Sequence, residues 1–97
     1  MGLPKYELKQ ATLELPDGQT IEVRELSRIE VMEIQRLSAA DEPDEERIEE
    51  LWLHYGTGDS LEEVHEWRQG TPALVVEAVL AEINQLTGLA EGSQDLS

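Results

Sequence analysis

Apolar and polar positions alternate twice near the start of this chain. Leu13 and Leu15 alternate with Thr12 and Glu14, and Ile21 and Val23 alternate with Thr20, Glu22 and Arg24. A period of two belongs to a strand with one buried face. Between the two runs lies Pro16-Asp17-Gly18-Gln19, in which proline presets φ for a turn and glycine allows the positive φ that closes it. The pattern predicts a β-hairpin. Tyr6 and Leu8 either extend its first strand or add another.

From Ser27 the period changes to that of a helix. Ser27 with Glu30 three residues on forms a capping box, and Leu26 and Val31 have the spacing of a hydrophobic staple. Val31, Ile34 and Leu37 mark the apolar stripe of this helix, which ends near Ser38-Ala39-Ala40. Asp41 to Glu46 then holds Pro43 and five acids. Asp41 or Glu42 can cap a second helix with Pro43 in its first turn, where acids complement the macrodipole. Ile48, Leu51, Trp52 and Tyr55 fall on one face of it. Gly56 is expected to stop it in a left-handed cap. Ser60 and Glu63 form a second capping box, opening a short helix with Leu61, Val64 and Trp67 inward and Gly70 at its end. Thr71-Pro72 starts the last helix, with threonine at the cap and proline at the first position, and Gly88 ends it. Leu74, Val75, Ala78, Val79, Ile83 and Leu86 cover most of that helix's circumference. This is the pattern of a central core element, or of a helix buried against another subunit.

The architecture expected is α+β, mainly α: an N-terminal β-hairpin followed by about four short helices. The length of 97 residues suits one domain with one modest core. Its boundaries are read as an N-terminal extension over 1–10, a single hairpin-plus-helices domain over 11–88 and a flexible C-terminal tail over 89–97. No internal repeat occurs.

Charge narrows the function. Twenty-two acids against seven bases give a formal net charge of −15. Asp41 to Glu66 alone holds eleven carboxylates and one base, Arg47. Nucleic-acid binders neutralise phosphates with Lys and Arg, and no basic patch is visible, so nucleic acid is not an expected partner. Anionic membrane surfaces are disfavoured by the same repulsion. No segment approaches the roughly 20 apolar residues of a spanning helix, and Met1 to Gln10 lacks the apolar region of a signal peptide. There are no cysteines, which removes disulfides and thiolate metal sites and suits a reducing cytoplasm. The expectation is a soluble cytoplasmic protein whose partner is a basic or apolar protein.

Candidate chemistry is sparse. Gly58-Asp59-Ser60-Leu61 matches the nucleophile signature of one family of serine hydrolases. There the serine follows a buried strand and a later histidine supplies the base. Here a helix precedes the motif and no histidine follows His65. Acyl carrier proteins use Asp-Ser-Leu at the start of an acidic helix, with phosphopantetheine on the serine. That fold has no N-terminal hairpin, and its second helix is long and apolar at regular spacing, unlike Glu62 to Arg68. Ser60 as an N-cap accounts for the same letters. His54 and His65 stand eleven residues apart, beside Glu62, Glu63 and Glu66, in no recognised ligand pattern. Acid pairs such as Glu45-Glu46 read as solvated faces rather than as a general acid–base pair. No catalytic residue, cofactor or metal is expected. Trp52, Tyr55 and Trp67 suit the core better than an interface hot spot.

Taken whole, the order of elements resembles the tail assembly chaperones of long-tailed bacteriophages. The likeness runs from the hairpin and helix cap of Ala11 to Leu26, through Leu51 to Val64 with its Thr57-Gly58-Asp59-Ser60-Leu61-Glu62-Glu63-Val64 helix start, to the final helix from Thr71 to Gly88. It covers roughly Leu13 to Leu86. The chain departs from the family pattern in its Val23-Arg24-Glu25-Leu26 strand end, in having Gly70-Thr71-Pro72 where an aspartate is usual, and in its heavier acidic block. The resemblance implies a non-enzyme that works in the host cell cytoplasm during virion assembly and is absent from the finished particle. It implies that the protein holds the tape measure protein, a long, aggregation-prone helical chain, and recruits tail tube subunits. Many such chaperones are made in a short form and a frameshifted long form. Val75, Val79, Ile83 and Leu86 are the candidate partner-binding residues, as a face shared between core and partner. Formation of a homo-oligomer is left open. Two alternatives stand beside this reading: a structural component of the tail or head–tail joint, and an acidic interaction module such as an inhibitor that mimics nucleic acid.

Overall fold

The structure is a computed structural model and describes residues 2–88. It contains the hairpin, with strands β1 (Gln10–Glu14) and β2 (Thr20–Arg24), then helices α1 (Arg28–Ser38), α2 (Glu45–Thr57), α3 (Leu61–Gly70) and α4 (Ala73–Thr87). The fold is α+β, mainly α. The strands are antiparallel, with Ala11 opposite Val23 and Leu13 opposite Ile21. These four, with Leu15, turn inward onto the helices. Gly18 closes the turn at φ 90°. Its N–H donates to Leu15 O at 2.9 Å, and the Leu15 N–H donates to Gln19 O at 2.7 Å. That leaves a three-residue loop with glycine in the left-handed position, a common hairpin connection.

The capping boxes at Ser27 and Ser60 form as the sequence predicts, and Gly88 caps α4 at φ 86°. Three local expectations are corrected. The N-cap of α2 is Asp44, not Asp41 or Glu42: its side chain accepts from the Arg47 N–H at 3.1 Å, and Pro43 stays outside the helix. Helix α4 has Pro72, not Thr71, at its cap position and no side-chain cap. The Thr71 hydroxyl instead donates back to Trp67 O at 2.5 Å, closing the end of α3. Gly56 does not stop α2. The helix runs on to Thr57, and Gly58 is the left-handed cap at φ 85°.

Gly56 has a different task. A Cβ built there would lie 2.7 Å from Ile83 Cγ1 and 3.0 Å from its Cγ2. Glycine lets α2 and α4 approach until the α4 side chain lies against the α2 backbone. The hub of the fold is α2, which packs against α1, α3, α4 and β2, whereas α4 packs against α2 and both strands. The sequence pattern points instead to α4 for the central place. Leu53, on the far side of α2 from Ile48, is 1% exposed. Helix α2 is therefore buried on more than one side. Val79 and Ile83 of α4 are fully buried with it. Burying side chains of this size contributes about 1.5–3 kcal/mol each. Leu37, read as part of the α1 stripe, is exposed, and the buried residues of α1 are Val31 and Ile34.

Tyr6 and Leu8 belong to no strand. Pairing reaches one step past β1: the Glu25 N–H donates to Lys9 O at 2.9 Å, and the Lys9 N–H donates to Glu25 Oε2 at 2.7 Å. Among the described residues no helix is long and apolar enough to cross a membrane. The stretch from residue 89 to 97, read as a tail, lies outside the described residues.

Candidate functional site

The hairpin turn and the corner between α3 and α4 meet without filling the space between them. An open groove results, lined by Leu15, Pro16 and Asp17 from the hairpin, Trp67 from α3, and Pro72, Leu74 and Val75 from the corner and the start of α4. Local chemistry fixes each wall. The Pro16-Asp17-Gly18 loop projects Pro16 beyond the strands. Pro72, at φ −58° and ψ 145°, is extended and stands just before α4, its φ fixed by the ring. Its carbonyl accepts from the Val75 N–H at 3.0 Å and the Val76 N–H at 3.2 Å, which starts α4. Leu74 stands outward at 75% exposed, while Val75 and Trp67 are half-buried.

The groove is apolar with an acidic rim. Asp17 accepts from the Gln19 N–H at 3.1 Å and from the Gln19 side-chain amide at 2.7 Å. These hydrogen bonds hold its carboxyl below the ordinary carboxylate range, so the rim is negative at neutral pH. No base lines the groove among the described residues. This arrangement suits an extended or helical apolar segment with a neutral or positive flank.

The four residues expected to form a partner face do not share one surface. Val79 and Ile83 are 0% exposed and belong to the chain's own core. Leu86 is half-buried at the far end of α4 and packs on that core, and Val75 alone reaches the groove. The stripe is core through its middle and opens at its N-terminal end. Leu74 and Pro16 were not among the candidates. They meet only because the hairpin folds beside the start of α4, a relation with no local signature. A second apolar patch lies on the outer side of α1, where Ile29 is 74% and Met32 41% exposed.

The residues that resembled chemistry are engaged structurally. The Glu63 N–H donates to Ser60 Oγ and the Ser60 N–H donates to Glu63 Oε1, both at 3.1 Å. His54 Nδ1 lies 2.6 Å from Asp59 O, and His65 Nδ1 lies 2.7 Å from Glu50 Oε2. Neither histidine bonds to Ser60. Among the described residues no three His, Asp or Glu side chains cluster in a way that would hold a metal ion.

Comparison with protein-family models, curated proteins and solved structures finds no match to this chain.

Part of the acidic block has a structural use. Arg68 of α3 donates from Nε to Glu49 Oε1 at 2.8 Å and from Nη1 to Glu50 Oε2 at 2.9 Å. Glu50 is 8% exposed. Burial pushes its carboxyl upward, but the hydrogen bonds and charges of His65 and Arg68 outweigh this and leave it below the ordinary range. Arg24 and Glu30, by contrast, make a bidentate pair between β2 and α1 at 2.9 and 3.0 Å. The remaining carboxylates of the block, including Asp41, Glu42, Glu45, Glu62 and Glu66, are exposed.

Proposed function

We propose that this protein is a tail assembly chaperone of a long-tailed bacteriophage. It works in the host cytoplasm, holds an apolar segment of the tape measure protein and helps to recruit tail tube subunits. The observation that carries this reading is an open apolar groove, walled by Leu15, Trp67, Leu74 and Val75, on a chain of formal charge −15. A holding protein needs both properties. An apolar surface covers the client's apolar stripe, and a large net charge keeps the pair soluble. The order of hairpin and helices and the Ser60 helix start support the reading, since these are the elements on which the family resemblance rests. Ser60 also serves there as a cap, which accounts for the Gly58-Asp59-Ser60-Leu61 letters without catalysis.

The test is co-expression with candidate tape measure and tail tube proteins. A tape measure protein that stays soluble and co-purifies with this chain supports the chaperone. No effect on its solubility, with this chain found instead in purified particles, makes it a structural tail component. Capture of a nucleic-acid-binding protein that high salt releases favours the acidic mimic.

A further inference from the structure

We propose that in the absence of a client the groove at the α3–α4 corner takes the N-terminal arm of a second copy of this chain. Residues 2–9 extend beyond the hairpin, outside any strand or helix. Leu3 is 90%, Tyr6 86% and Leu8 37% exposed. One exposed leucine is ordinary, but three large apolar side chains and Pro4 within one short arm form a concentrated apolar segment. The same arm carries Lys5 and Lys9 against Glu7, a net positive charge on a chain whose total is −15. Among the described residues neither lysine ammonium pairs with a carboxylate.

Groove and arm are complementary. The groove offers Leu15, Pro16, Trp67, Pro72 and Leu74 with Asp17 on its rim and no base. The arm offers a tyrosine and two leucines flanked by lysines. Tyr6 against Trp67 and the prolines joins the residue types that dominate well-packed contacts. Geometry directs the arm to another molecule. The reciprocal bonds between Lys9 and Glu25 fix its root at one end of the sheet. The groove lies at the other end, beside the Pro16–Asp17 turn, about 17 Å away along five strand residues. To reach its own groove the arm would have to reverse at that root and run back beside β1. A neighbouring copy can present its groove to the arm directly. The inference uses the groove but does not require the client to be a tape measure protein.

The experiment is light scattering coupled to size exclusion across a dilution series, on the full chain alone. It is repeated with residues 2–8 deleted, with Tyr6→Asp and with Leu74→Asp. All three changes lie at exposed positions, and an unchanged melting temperature establishes that each variant folds. The expected result is a mass that rises above the 10.9 kDa of the single chain as concentration increases, with each variant weakening association at least about tenfold. A photo-crosslinker at position 6, in a mixture of two differently tagged copies, should join the copies at the peptide containing Leu74. A monomer at every concentration overturns the proposal. So does association that survives removal of the arm, or a cross-link confined to one molecule. With no client present, failure here leaves the chaperone reading standing, and failure to hold a tape measure protein leaves arm exchange standing.

Discussion

Gly56 of α2 and Ile83 of α4 meet so closely that no side chain fits between them. A Cβ on Gly56 would stand 2.7 Å from Ile83 Cγ1, and Ile83 is fully buried. Gly56→Ala gains about 1 kcal/mol of helix propensity and meets overpacking of about 1–3 kcal/mol. The fixed position of Ile83 makes overpacking the larger effect. The expected outcome is a lower melting temperature, measured by calorimetry. In an Ile83→Ala background the penalty of Gly56→Ala should shrink or change sign. Equal penalties in both backgrounds would mean that this contact does not set the helix spacing.

The Arg68 cluster should bind α3 to α2. Arg68→Ala takes from the buried Glu50 one of its two partners, leaving only His65, at a cost of about 2–4 kcal/mol. On a domain of this size that is roughly 4–8 °C of melting temperature per kcal/mol. The result should be compared with Arg68→Ala/Glu50→Gln, which removes the stranded charge and should recover part of the loss. No recovery would mean that Arg68 acts only through its packing.

The same cluster predicts a direction with pH. Glu50 and Glu30 both titrate below the ordinary carboxylate range, because hydrogen bonds and positive neighbours outweigh their burial. A carboxylate with a lowered folded pKa adds stability above its unfolded value, near about 4.3. That stability is lost as pH falls through the folded value. Melting temperature should therefore drop on acidification below about pH 4. Glu50→Gln should flatten that limb of the curve. An unchanged acid limb in that variant would remove Glu50 from the account.

Ser60 should matter to stability alone. Ser60→Ala removes the α3 cap, a loss of about 0.5–2 kcal/mol, read by thermal or urea unfolding. Incubation with a phosphopantetheinyl transferase and coenzyme A should leave the intact mass unchanged. A mass shift on the wild type, absent in Ser60→Ala, would make this a carrier domain.

Much of the fold is legible from local signals, because Ser27–Glu30, Ser60–Glu63 and Pro16–Gly18 act within three residues of chain. The errors lie where distant elements decide. Gly56 reads as a stop signal until Ile83 is placed against it. Leu53 falls outside the apolar stripe of α2 because that helix is covered on several sides. Thr71 resembles a cap for α4, but its hydroxyl reaches back to α3. The groove was less legible still. Helix periodicity points to Val75, but Leu74 and Pro16 lie 58 positions apart in sequence, and only the packing of the hairpin puts them on one groove.

Two substitutions five residues apart in α4 separate core from groove. Val79→Asp places an unpaired charge where exposure is 0%, costing about 3–5 kcal/mol, and should unfold the domain or lower its melting temperature sharply. Leu74→Asp, at 75% exposed, should change stability by no more than about 0.5 kcal/mol. Circular dichroism melts of the two variants check this contrast directly.

The most direct test of the central claim joins that surface to the client proposed for it. Wild type and Leu74→Asp would each be co-expressed with the tape measure protein, and the soluble complex quantified after affinity capture. The account predicts a stoichiometric soluble complex with the wild type and its loss with Leu74→Asp, although that variant melts at the wild-type temperature. Equal recovery with both chains, or none with the wild type, would contradict it.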